Sequence, residues 1–253
     1  NRLLTVGRQF DAKSTDLCQI MAQNDLTELR SEYRQMPDFD SLRQTMVDTQ
    51  LRTNKVTDER ILTAMGEIPR EKFVPGNWAG LAYIDEDIPI GAGRCLIEPM
   101  IQARMIQAME IGEDDAVLDI AGGTGYSSAV LGRLAGAVVS VESDPELSAQ
   151  LSAHMTDLGM DNVVVEQGPI KSGWPDQAPY DAILVNGACG GVPDILFEQL
   201  ADGGRLCAVA PGESGVGSAM LWTKQNENVS SRPLFDANVP ALPELESEAG
   251  FTF

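Results

Sequence analysis

The chain has 253 residues, with 38 acidic against 18 basic side chains and a formal charge of -20, a balance that disfavours binding to a phosphate backbone, so no nucleic-acid partner is expected. Apolar residues make up 43%, ample for a continuous core, yet no run is long enough to cross a bilayer and no basic-then-apolar leader is visible; a soluble, cytoplasmic protein without membrane partners is expected. Four cysteines (Cys18, Cys95, Cys189, Cys207) in no metal-ligand spacing and a single histidine, His154, supply little material for a metal or thiol-histidine site, so no metal is expected and His154 is assigned to a helix surface.

Residues 1–35 form an N-terminal extension with helix-forming character from about Asp16 to Arg34, suited to docking or assembly. Helices are expected over Phe39–Thr49 and Thr57–Gly66, the second capped by Thr57 and stopped before Pro69. Residues 73–100 carry too many prolines and glycines for one long element and read as a loop-rich cover with an apolar stretch at Ile88–Ile90. Pro99 opens a helix that runs to Met109, because a missing N–H costs nothing in a first turn. Residues 36–110 thus make a helical, loop-rich cover or substrate region.

From residue 111 the pattern changes to strands alternating with helices. Strands are expected at Ala116–Ile120, Ala137–Val141, Val163–Gln167, Ala182–Asn186 and Gly204–Ala210, with helices at Ser127–Leu134, Pro145–Leu158 and Pro193–Leu200. This order predicts an α/β fold: a Rossmann-like, mostly parallel sheet flanked by helices across residues 111–243. Ala219–Trp222 and residues 233–242 read as returning strands, with Pro240 and Pro243 favouring an irregular end, and 244–253 as a loosely held tail.

The first of these strands carries Asp119 one residue before its end at Ile120 and breaks into Ala121-Gly122-Gly123-Thr124-Gly125-Tyr126 before the next helix. Such a turn lets backbone approach a ligand and aims free helix N–H groups at it. The second strand ends in Glu142, a carboxylate placed to accept both hydroxyls of a ribose. In a dinucleotide site the turn would cradle a pyrophosphate, beside which Asp119 would be repulsive; near the sulfonium and amino group of S-adenosylmethionine it is favourable. That cofactor is preferred over a dinucleotide, and over a βαβ unit that needs a turn and binds nothing. Gly168, after the third strand, and Asn186, after the fourth, complete the rim, Asn186 either bonding a cofactor amino group or capping its strand. Met160, Ile170 and Trp174 serve equally as an adenine wall or as core.

Several stretches resemble the protein-L-isoaspartate O-methyltransferase family: residues 57–65, Pro69-Arg70-Glu71-Lys72-Phe73-Val74-Pro75, Tyr83-Ile84-Asp85, Ile88-Pro89-Ile90-Gly91, the glycine turn and Gly203-Gly204-Arg205-Leu206. The resemblance covers about residues 46–242. It implies a methyltransferase sheet with an added N-terminal helical region, S-adenosylmethionine as cofactor, and methyl transfer to a carboxylate in a peptide, a protein or a small acid, as in repair of isoaspartyl residues. Three departures bear on that activity. The family's Gly-x-Gly-Gln-Thr-Ile-Ser-x-Pro loop reads here Gly91-Ala92-Gly93-Arg94-Cys95-Leu96-Ile97-Glu98-Pro99, so Ile97 stands for the serine, Glu98 would repel a carboxylate and Arg94 would compensate. Ala121 replaces the first glycine of the turn, tolerable unless positive φ is needed there, and Pro169 replaces an aspartate after Gly168. They leave open a changed methyl acceptor, or a catalytically impaired member acting as a binding or regulatory protein.

Overall fold

The computed structural model describes residues 38–211 and 216–246, and the elements below belong to one compact unit, Phe39–Phe253. The expected extension at 1–35, Cys18 and the tail beyond 246 lie outside the described residues.

The cover begins with α1 (Phe39–Met46), continued by a π-helical turn at Val47–Leu51 that buries Val47 and Leu51. The expected helix therefore changes pitch before its predicted end. The next helix, α2 (Glu59–Glu67), starts two residues later than expected. Its cap is Asp58, whose carboxylate accepts from Arg60 N, rather than Thr57, whose own N–H donates to Gln107 Oε1 at 2.6 Å. Two 3₁₀ turns, Arg70–Phe73 and Gly76–Leu81, lead into a hairpin of β1 (Ile88–Gly91) and β2 (Arg94–Leu96), followed by α3 (Pro99–Ala108). The segment read as loop is thus ordered as a hairpin, reversed by Gly91, Ala92 and Gly93, all at positive φ.

The core strands are β3 (Ala116–Ile120), β4 (Ala137–Glu142), β5 (Val163–Gln167), β6 (Tyr180–Ala188), β7 (Leu200–Ala210), β8 (Ser218–Gln225) and β9 (Asn228–Asp236). Helices α4 (Tyr126–Gly132), α5 (Pro145–Asp157) and α6 (Asp194–Glu198) connect them. The sheet order is β5-β4-β3-β6-β7-β8-β9, parallel from β5 through β7 and antiparallel at β8 and β9. Alternate residues serve opposite cores: Val117, Val138 and Leu184 pack on one face, and Leu118, Val139 and Ile183 on the other. Burial on both faces is why these strands read as continuous apolar runs. No helix among the described residues is long and apolar enough to cross a membrane.

The chain runs outward from β3 to β4 and β5, then returns to β6 on the other side of β3. This reversal lies at the carboxyl end of β3, the crevice position at which open α/β sheets receive their ligands. Both Asp119 and the glycine turn stand there.

Candidate functional site

Asp119 is fully buried at the end of β3. Its Oδ2 accepts from Ser127 Oγ at 2.8 Å and Ser128 Oγ at 2.6 Å, both on the first turn of α4, and its Oδ1 accepts from Asn186 Nδ2 at 2.6 Å. Burial raises its carboxyl to about 6, against the opposing effect of these hydrogen bonds. Asp119, expected near a sulfonium and amino group, here fixes the start of α4 to the end of β6. Asn186 also donates to Ile120 O at 3.1 Å, while its Oδ1 is buried without a partner. A buried amide oxygen without a donor is costly. It is suited to receive a ligand N–H.

The turn itself is shaped by positive φ at Ala121 (58°), Gly123 (58°) and Gly125 (99°). Ala121 therefore occupies a position that does need the left-handed region, at a cost of about 1–2 kcal/mol. Thr124 Oγ1 donates to Phe73 O at 2.6 Å, and His154 Nδ1 donates to Thr124 O at 2.7 Å while its ring packs 4.8 Å from that of Phe73. His154 is thus a support of the turn from α5 rather than a free surface residue. Tyr126 is fully buried, with the Arg70 guanidinium 4.8 Å from its ring centroid. Arg70, also fully buried, donates to Ala82 O and Ile97 O at 2.7 Å each, so the Pro-Arg-Glu string ties the cover to the turn.

Glu142 is fully buried at the end of β4. It accepts from Gly123 N at 3.0 Å, Ser143 N at 2.8 Å and Asp144 N at 3.0 Å, and from Arg94 Nη2 at 3.1 Å and Nε at 3.3 Å. Arg94 is 3% exposed and also grips Glu244 through Nη2 at 2.7 Å and Nη1 at 3.1 Å. That contact pulls the Glu244 carboxyl down to about 2. Among the described residues the start of the 244–253 segment is therefore held, not loose, through Glu244 and through Leu245, whose carbonyl accepts from Gly190 N at 2.9 Å.

The other substrate-loop residues behave differently from expectation. Ile97 is buried in the core, and only its carbonyl is engaged, by Arg70; a serine side chain there would face the core rather than a substrate. Burial and the nearby Asp85 and Asp87 push Glu98 up to about 7, so its charge is only partly present at neutral pH. Arg94 does not compensate Glu98; it is committed to Glu142 and Glu244. Gly168 N donates to Glu142 O at 3.1 Å, and a Cβ at Gly168 would stand 3.0 Å from the Trp174 ring. Ile170 is fully buried in core, Met160 packs on the opposite face, and Cys95 is half-buried with its thiol raised by burial.

The residues sequence reasoning missed are Ser127, Ser128, His154, Arg70 and Glu244. The serines sit in the helical run after the turn, where Ser is ordinarily a cap or a solvent residue; only the fold turns both toward Asp119.

A parallel sheet with its reversal at β3, a glycine turn followed by a helix, and acids ending the first two strands define a Rossmann-like S-adenosylmethionine-dependent methyltransferase. A sequence model of the protein-L-isoaspartate(D-aspartate) O-methyltransferase (PCMT) family matches residues 41–238, and the chain belongs to that family. Protein-L-isoaspartate O-methyltransferase 2 of Anaeromyxobacter sp. (strain Fw109-5) is 42% identical over 182 residues, covering 72% of this chain and 75% of the relative. The enzyme of Koribacter versatilis (strain Ellin345) is 45% identical over 164 residues, covering 65% and 74%. A solved protein-L-isoaspartate O-methyltransferase superposes with a TM-score of 0.70 at 26% identity, covering 81% of this chain and 67% of that one. A Plasmodium falciparum structure of the same description, solved with S-adenosyl-L-homocysteine, shares the fold with a TM-score of 0.68 at 19% identity, covering 80% and 98%. The chain is accordingly a methyltransferase acting on a carboxylate.

The residues at the crevice fit the cofactor in kind. The unpartnered Asn186 Oδ1 suits an ammonium, the turn gives close backbone approach, and Glu142 ends the strand where a ribose is read.

Proposed function

We propose that the chain methylates the free carboxylate of isoaspartyl or D-aspartyl residues in damaged peptides and proteins. The observation that carries this is the family match across residues 41–238, which includes the cover, the turn and Glu142. S-adenosylmethionine supplies an electrophilic methyl group on sulfur. A substrate carboxylate is already ionised at neutral pH and needs no general base to attack it. With that group bound, the oxygen–methyl bond would form as the sulfur–methyl bond breaks and no proton would need to be moved by the chain, whose part would be alignment and exclusion of water.

In this reading Asn186 orients the methionine end, with Asp119 holding Asn186 in place. The turn of Gly122, Gly123 and Gly125 lays its backbone against the cofactor, Gly122 and Gly125 also leaving room for Ser140, Leu151 and Met155 packed behind it; Ala121 and Tyr126 shape the turn, and Glu142 takes the ribose. Gly168 lines the adenine side. Among the described residues, the serine associated with substrate handling in the family has no counterpart at Ile97, so the acceptor is oriented by other groups of the cover.

The test is methyl transfer from labelled S-adenosylmethionine to an isoaspartyl peptide and to its aspartyl counterpart. Formation of a base-labile methyl ester on the isoaspartyl peptide alone is expected. Equal labelling of both peptides, or of neither, contradicts the proposed acceptor.

A further inference from the structure

Glu142 has no acceptor capacity left for a ribose. A carboxylate offers about four lone-pair sites, and five N–H groups already converge on this one: three from the backbone and two from Arg94. The backbone donors are fixed by the turn and by the start of α5. The two from Arg94 are not: they arrive on a side chain of the β1–β2 hairpin, itself held from outside by Glu244.

The hairpin and the 3₁₀ turn at Pro243–Leu245 close over the crevice together. Ile90, on β1, lies against the turn, where a Cβ at Gly123 would stand 2.6 Å from its Cδ1. Leu242 lies on Gly187 in the same way, at 2.6 Å from a Cβ built there. Leu242 N donates to Ala188 O at 2.8 Å, and Gly190 N donates to Leu245 O at 2.9 Å, fastening this turn to the segment after Asn186. Glu244 then meets Arg94 and also accepts from Ser143 Oγ at 2.8 Å. Thus both glycine-rich approaches and the ribose carboxylate are covered by side chains of two neighbouring segments.

We propose that Arg94 and Glu244 form a latch in which the guanidinium takes the place of the ribose hydroxyls on Glu142, so that cofactor binding requires release of the 243–245 turn. This rests on the cofactor reading given above and adds a competitor built into the chain. A planar guanidinium presents two N–H groups to one carboxylate with the same donor pattern as a vicinal diol. The two ligands therefore exclude one another. If the closed arrangement dominates, apparent affinity falls by the fraction of molecules that are open.

Isothermal titration with S-adenosylhomocysteine tests this on the full chain, using Arg94→Gln and, because Arg94 is buried, the milder Glu244→Gln as well. Both variants are expected to bind at least about tenfold more tightly than the unsubstituted protein, and in both the amides of Leu242 and Gly190 should exchange faster with solvent while those of β3 are unchanged. Equal or weaker binding with unaltered exchange overturns the latch and leaves the cofactor reading standing. Absence of binding by all three proteins overturns the cofactor reading and the latch with it.

Discussion

Ala121 is the residue at which the turn departs furthest from ordinary backbone preference. Its φ of 58° places a Cβ in the left-handed region, where an L-residue costs about 1–2 kcal/mol relative to the right-handed one. Ala121→Gly should therefore raise the free energy of unfolding, by about 1 kcal/mol after the greater chain entropy of glycine is subtracted. Urea unfolding monitored by tryptophan fluorescence measures this, and a loss of stability would show that the alanine methyl contributes more in packing than it costs in strain. The sequence alone gave notice of the substitution but not its sign, because φ at a turn is set by the tertiary path of the chain. The same holds for Asp119. Its position at a strand end was plain from the sequence, whereas the two serines that occupy one of its oxygens became evident only when α4 was placed.

At the level of elements, the parallel strands were legible because burial on both faces leaves them few polar residues. The hairpin at 88–96 was not, since its strands have only four and three residues and its reversal uses Ala92 at positive φ beside the glycines. The contact between Arg94 and Glu244 joins residues 150 apart in sequence, and no local pattern announces it. The 243–245 turn also carries a pH dependence of definite sign. Glu244 ordinarily titrates at 4.5 and is held down to about 2 in the folded chain by Arg94, then by Ser143. The unfolded chain thus binds the additional proton between these values, and the stability from this contact is present above pH 4.5 and is lost as pH falls toward 2. In acid unfolding followed by circular dichroism, Glu244→Gln should lose less stability across that interval than the unsubstituted protein. Identical slopes would mean that the carboxylate does not hold the turn.

For the molecule as a whole, fold and cofactor class follow from one arrangement: a sheet reversing between β3 and β6, with Asp119, the glycine turn and Glu142 on the β3–β4 side of the reversal and Asn186 on the β6 side. The net charge of -20 is of the right sign to favour approach of a cationic sulfonium, and the proposed reading assigns specific recognition to Glu142 and Asn186. In this chain Arg94 occupies the carboxylate that a nucleoside would use in the proposed reading. The most direct measurement is a crystal structure of the full chain with S-adenosylhomocysteine. The ribose hydroxyls should be found on Glu142, the ligand amino group on Asn186 Oδ1, and Arg94 and Leu242 withdrawn from the positions they hold here. A ligand bound elsewhere, or one seated in the crevice with Arg94 still paired to Glu142, would contradict this account.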